Sequence, residues 1–175
     1  MSLEFSIREA EFDDVNAIAR VSYLTWPHAY RGIIPDAKID SRNVESITEK
    51  WRQILSQATP TGGTLVAINH DSIIAYSRFY ASVDSDDDQD RVATIGSIYV
   101  LPDFQHYGVG RELVAEILKV AKNQSFREAT LHVLAANERA RKFYESLGWE
   151  QDLDAIIERS DEDSTPKVRY RKNLL

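Results

Sequence analysis

The sequence predicts an α/β domain of three layers, and two features carry that prediction. A β-branched run from Ala93 to Val100 is followed by a helix-spaced run through Val109, Leu113, Val114, Ile117, Leu118 and Ala121, then by a second strand-like run from Ala129 to Leu134. Strand-patterned segments also precede and follow this strand-helix-strand crossover, which predicts a mixed sheet.

The remaining elements follow in order. Phe5 to Ala10 alternates as a first strand, and Asp13 or Asp14 offers an N-cap for a helix from Val15 to Leu24. Val15, Ile18, Ala19, Ser22 and Tyr23 are its expected inner face. The next stretch, Thr25 to Pro35, mixes aromatics with proline and glycine, which predicts a broken segment rather than one continuous helix. Ser46 to Gln57 regains helical spacing through Ile47, Trp51, Ile54 and Leu55, and Thr61-Gly62-Gly63 reads as a turn. Thr64 to Asn69 and Ile73 to Ser82 form an expected hairpin about His70-Asp71. Leu101-Pro102-Asp103 stops the strand that ends at Val100. A short helix from Ala140 to Leu147 and a last strand near Lys167 to Lys172 complete the set, with Leu153 to Arg159 a weaker strand candidate. No repeat or linker divides the chain, so residues 1–175 are expected to form one domain.

Composition narrows the function. A 43% apolar and 28% charged chain is that of a soluble globular protein, and no window approaches the roughly eighteen apolar residues of a membrane span. The start shows no secretory signal, and without cysteine there is no disulfide framework, thiolate metal site or cysteine nucleophile, so a cytoplasmic location is expected. His28, His70, His106 and His132 lack metal-ligand spacing and read as surface or core residues, so no metal is expected. A net charge of −7 argues against nucleic acid as a partner and tolerates a cationic amine. The acidic stretch Asp84 to Asp90 reads first as a solvated loop, with attraction of a polyamine or basic peptide as the sharper alternative.

Between the strand ending at Val100 and the helix beginning at Val109 lies Gln105-His106-Tyr107-Gly108-Val109-Gly110. Such a junction points free backbone N–H groups and the positive end of a helix dipole at one spot, and glycine at 108 and 110 is expected to let an anion approach without meeting a Cβ. The run lacks the Gly-Lys-Ser/Thr of a P-loop. Further along, Asn137-x-x-Ala140-x-x-Phe143-Tyr144-x-x-x-Gly148-Trp149 reads as a short helix ending at a glycine cap.

Together these two motifs resemble the GCN5-related N-acetyltransferases, with Trp149 standing where phenylalanine is commoner. The resemblance implies a GNAT-type three-layer fold: a mixed, mostly antiparallel sheet with a central parallel pair of strands that splay apart, and flanking helices. It implies acetyl-coenzyme A as co-substrate, its pantetheine arm in the wedge. The backbone of Tyr107, Gly108, Val109, Gly110 and Arg111 would hold the pyrophosphate, with Gln105 and His106 at the rim. Ile98, Tyr99 and Val100 would lie along the pantetheine, with Val100 N–H polarising the thioester carbonyl. Asn137 and Ala140 would flank the coenzyme from the far side, Asn137 serving also as an N-cap.

Acetyl transfer to an amine poses two proton problems. An alkylamine with a pKa of ~10.4 is only about one part in a thousand neutral near pH 7, and a thiolate whose parent pKa is roughly 8.5 needs a proton from something such as a phenol. Tyr144 is the expected acid; read from its helix alone, it is a core aromatic beside Phe143. The strand Thr94 to Tyr99 carries no carboxylate, so a direct carboxylate base of the kind common in the family is missing. Ser97 holding a water, His28 and Tyr30 are the candidates left, along with a water chain to solvent. Trp26, His28, Tyr30 and Arg31, with Ser97, are expected to select the acceptor, and a small-molecule amine, polyamines included, comes ahead of protein amines. A non-catalytic coenzyme-binding sensor is the rival. Homodimers are common in the resembled family.

Overall fold

The computed structural model describes residues 3–57, 61–155 and 165–175. Along the chain run β1 (Ser6–Glu9), α1 (Val15–Tyr30), α2 (Asp36–Asp40), α3 (Val44–Ser56), β2 (Gly62–Asn69), β3 (Ser72–Ala81), β4 (Val92–Val100), α4 (Val109–Asn123), β5 (Glu128–Leu134), α5 (Glu138–Ser146), β6 (Glu150–Gln151) and β7 (Lys167–Asn173). The strands make one seven-stranded sheet in the order β1-β2-β3-β4-β5-β7-β6. Every neighbouring pair is antiparallel except β4 and β5.

Two apolar clusters cover the two faces. On one, Leu113 and Ile117 of α4 are fully buried against Phe79, Ile95 and Leu131. Burial of such a side chain contributes about 1.5–3 kcal/mol. On the other, Ile18 and Ala19 of α1 and Trp51 of α3 pack on Val66 and Tyr76. Helices on both faces of one sheet give the three predicted layers.

The parallel pairing of β4 with β5 covers only three rungs, Val92 to Glu128, Ala93 to Ala129 and Thr94 to Thr130. Beyond them β4 stays with β3 as far as Val100, and β5 stays with β7 as far as Leu134, so the two strands part. The hydroxyls of Thr94 and Thr130, 3.1 Å apart and buried, close the apex. The β3–β4 register shifts beside Gly96, the one β4 residue there without a partner. A Cβ at Gly96 would lie 2.4 Å from the Tyr80 ring, so glycine is required at this bulge.

Five expectations are corrected, the last of them only at residues 153–154. The helix at Val15 does not stop at Leu24; α1 runs through Pro27 to Tyr30 and turns at Arg31-Gly32, where Gly32 has φ 83°. Pro27 sits in the last turn, where its missing N–H removes only the bond to the Tyr23 carbonyl. Tyr23 itself is 41% exposed and belongs to the outer face. Asp14 does not cap α1 with its side chain; it accepts the Glu11 N–H at 2.8 Å and pairs with Arg8 at 2.6 Å. Gly62 and Gly63 are not a turn but the first rungs of β2, opposite Tyr80 and Phe79. Of the candidate strand Leu153 to Arg159, residues 153–154 form a turn and residues 156–159 lie outside the described residues.

Candidate active site

Where β4 and β5 part, a cleft of about 1500 Å³ opens across the sheet. Its walls follow from ladder geometry. Leu101 N–H donates to the Ile74 carbonyl, so alternate β4 residues Tyr99 and Ser97 bond β3, while Ile98 and Val100 turn their backbone N–H and C=O toward the wedge. Across the gap, Ala135 N–H donates to Pro166, which by the same alternation turns the backbone of His132 and Leu134 inward. The Val100 carbonyl accepts from Gln105 Nε2 at 2.9 Å, and the Leu134 carbonyl accepts from Asn137 N–H at 2.8 Å.

The glycine turn leads from this wedge into α4. Gly108 is the residue before the helix, with φ 87°, and carries no capping side chain, so the first-turn N–H groups are left open. Nothing stands within 4 Å of a Cβ placed on Gly108. At Gly110 a Cβ would sit 3.4 Å from Phe143 and 3.6 Å from Val100, ordinary van der Waals contact, so packing alone does not demand glycine there. His106 precedes the turn at φ 68°, an uncommon backbone for a side-chain-bearing residue. Gln105, His106, Gly108, Gly110 and Arg111 line the cleft. Tyr107 is 53% exposed and off its wall, and Val109 is buried in the core.

Asn137 caps α5 by accepting the Ala140 N–H at 3.1 Å. The far end of α5 carries a Schellman cap: Trp149 N–H donates to the Tyr144 carbonyl and Gly148 N–H to the Glu145 carbonyl, with Gly148 at φ 77°. The Tyr144 ring stands 6.1 Å from that of Trp149 and 5.3 Å from that of Phe143, so the cap and two rings fix its position in the cleft wall. Burial, with Tyr99 nearby, pushes the Tyr144 phenol well above its usual range.

The aromatic end of α1 forms the opposite wall. Tyr99 hydroxyl accepts from Trp26 Nε1 at 3.0 Å and shares a hydrogen bond with Tyr30 at 3.1 Å. The Arg42 guanidinium lies 3.9 Å over the Trp26 ring. Burial, then Tyr99, raises the Tyr30 phenol, which opposes the phenolate a base would require. Ser97 faces the Tyr76 hydroxyl. Arg31 is drawn to Asp36 at 3.1 Å and Asp40 at 2.9 Å, closing the turn into α2 at the rim.

Two features escaped the sequence. Arg139, in the first turn of α5, bonds Gln105 and stands 3.4 Å from both His106 and His28, strapping the mouth of the cleft. A cation at a helix N-terminus opposes the dipole, and that misfit was the available signal. The second is the acidic stretch, in which Asp84, Asp86 and Asp87 are paired across the sheet while Asp88, Gln89 and Asp90 stay exposed. Arg169, 2% exposed, holds Asp86 with both terminal nitrogens at 2.7 Å, Asp152 at 2.8 Å and Asp84 at 3.1 Å. Arg171 holds Asp87 at 2.6 Å and Glu128 at 2.7 Å. Much of the negative charge of this stretch is therefore spent on β7.

Among the described residues, no group of three or more His, Cys, Asp or Glu is placed to hold a metal ion, and no helix is long and apolar enough to cross a membrane. The model of the acetyltransferase (GNAT) family matches residues 24–149. An uncharacterized N-acetyltransferase of Archaeoglobus fulgidus is 31% identical over 147 residues, 84% of this chain and 91% of that protein. PaiA N-acetyltransferase from Thermoplasma acidophilum, solved with coenzyme A, superposes with a TM-score of 0.79 at 20% identity over 98% of this chain and 99% of that one. YncA from Salmonella typhimurium, solved with acetyl-CoA, gives 0.71 at 17% identity over 98% and 94%. These structural likenesses speak for the fold, and the sequence matches speak for the family: the chain belongs to the GNAT acetyltransferases and is an N-acetyltransferase.

Proposed function

We propose that the protein transfers an acetyl group from acetyl-coenzyme A to the primary amine of a small molecule, by direct attack within a ternary complex. The observation that carries this is the parted β4–β5 pair, whose inward-facing backbone at Ile98 and Val100 runs on to the uncapped N-terminus of α4. Amide-bearing pantetheine suits unpaired strand backbone, and a pyrophosphate suits open helix N–H groups. Gly108, with no atom near the place of a Cβ, leaves room for the anion. Acetyl-coenzyme A supplies an acyl carbon activated as a thioester.

This chain's residues then divide the work. The Val100 N–H faces the wedge, where it suits a developing oxyanion. Tyr144 keeps its proton at neutral pH because burial holds its phenol high, and it serves as donor to the departing sulfur. Trp26, Tyr30 and Tyr99 form an aromatic wall on the amine's side. With Asp84, Asp86 and Asp87 of the acidic loop engaged by Arg169 and Arg171, selection of the amine falls chiefly to this wall rather than to loop charge.

Calorimetric titration of acetyl-coenzyme A followed by thiol release with pooled amines, spermidine among them, tests the proposal. Binding with amine-dependent thiol release is expected. Binding without release from any amine would leave a coenzyme sensor, and absence of binding would overturn the assignment of the cleft.

A further inference from the structure

Within that reading, we infer that His132 is the general base of the reaction, held in place by Asp84. Leu131 and Val133 pack into the core on the α4 face. Strand alternation therefore turns His132 to the α1 face, where Tyr99 and the aromatic wall stand. His132 lines the cleft, as do Gly96, Ser97 and Tyr144. It lies two residues past Thr130, the last β5 residue still paired to β4, where the wedge begins. Tyr144 reaches the same cleft from α5, on the other face of the sheet. Base and acid are thus carried by different elements, one to meet the attacking nitrogen and the other the departing sulfur.

The electrostatics suit the role. His132 Nε2 is 3.2 Å from Asp84 Oδ2. With that N–H donated to the carboxylate, the lone pair sits on Nδ1. Asp84 is itself fixed by Arg169, so it orients the imidazole as the aspartate of a catalytic triad does. The charged groups acting on His132 among the described residues are Asp84 and Asp87 from the loop and Lys167 and Arg169 from β7. Burial, opposed by Asp84, holds its pKa below 6.5, so the ring is neutral and able to accept a proton at neutral pH. The other two ring candidates fit less well: the Tyr30 phenol is raised, and His28 sits at the mouth against Arg139.

The protons balance. A neutral amine attacks the thioester carbonyl carbon, a C–N bond forms, and the π pair moves to oxygen. Before the attack His132 takes the extra proton of the alkylammonium and passes it to solvent, and the second proton leaves the nitrogen for solvent once the C–N bond has formed. The C–S bond breaks as the carbonyl reforms. Tyr144 gives the thiolate a proton and regains one from solvent, leaving an amide and a thiol.

The test is His132→Gln, which keeps a polar side chain of similar length, assayed with spermidine, phenethylamine and lysine, and with hydroxylamine, whose nitrogen is already neutral at neutral pH. The variant should bind acetyl-coenzyme A as the wild type does, lose about 10²-fold or more in kcat on the alkylamines and far less on hydroxylamine. The wild-type kcat/KM should show an acidic limb below about pH 6.5 that the variant lacks. Nuclear magnetic resonance of the free wild type should find the His132 ring protonated at Nε2 and titrating below its ordinary value, and lower still in Asp84→Asn. Equal losses on alkylamines and hydroxylamine, or an acidic limb kept in the variant, would overturn the inference. Should the wild type itself show no amine-dependent thiol release, the proposed function fails instead.

Discussion

Replacing Arg169 by methionine keeps the apolar stem and deletes the charge that gathers the acidic loop onto β7. Arg171 would still hold Asp87 and Asp152, so the loss falls on Asp84 and Asp86, whose side chains are only 17% and 21% exposed. Charge-assisted hydrogen bonds are worth about 1.5–3 kcal/mol each, and two carboxylates deprived of their arginine therefore amount to about 3–6 kcal/mol, in line with the ~3–5 kcal/mol of broken buried ion pairs. For a chain of this length each kcal/mol lowers Tm by about 2–4 °C, so the melt should fall by ~6–24 °C near neutral pH. The effect has a sign in pH. Asp152 too would lose its bonds to Arg169: burial would raise this carboxyl, but Arg171 and Arg169 outweigh it and hold it below its ordinary 3.8. A group lowered in the folded state contributes stability that is complete above its unfolded value and is lost as pH falls through the folded one. The gap between wild type and variant should thus be full at neutral pH and shrink below about pH 4. Circular dichroism melts at both pH values measure it. A variant melting within about 2 °C of wild type at neutral pH would refute the view that this network holds the loop.

Tyr144→Phe should lower kcat by about 10²-fold while calorimetry finds the affinity for acetyl-coenzyme A unchanged; undiminished turnover removes the phenol from the chemistry. Gly108→Ala places a Cβ at φ 87° and should lose about 1–2 kcal/mol in urea unfolding, more than Gly110→Ala, which meets only contacts of 3.4 Å and beyond. Equal losses would contradict the view that its left-handed backbone sets Gly108 apart. Gly96→Ala drives a Cβ into the Tyr80 ring and should destabilise by about 1–3 kcal/mol, with Tyr80→Ala in the same chain recovering part of the loss; simple additivity of the two would show that the ring is not the obstacle.

The crossover, the glycine turn and the capped helix of Tyr144 were legible because each is written in adjacent residues. Gly108 shows its backbone need by following a strand and preceding a helix, and Gly148 does the same at a helix end. Pro27 misled because proline usually breaks a helix, yet one placed in the last turn removes a single bond. The clasp about Arg169 was hidden by distance along the chain: its aspartates lie 83 and 85 residues away, and nothing local marks an acidic run as paired. His132 was passed over for the same reason. A histidine shows no role by its own spacing when the carboxylate that orients it belongs to another loop. The bulge at Gly96 depends on a ring brought opposite by the β3–β4 register, which a strand pattern read singly does not contain.

The parting of β4 and β5 has a consequence for solubility. Past the threonine pair at the apex, the molecule carries two unfinished sheet edges of the kind that recruit strands from other chains. They face one another across an interior gap rather than solvent, and Arg139, reaching from α5 to Gln105, His106 and His28, spans the entrance. Backbone groups that must be left unpaired to receive a ligand are thereby kept from pairing with a neighbour.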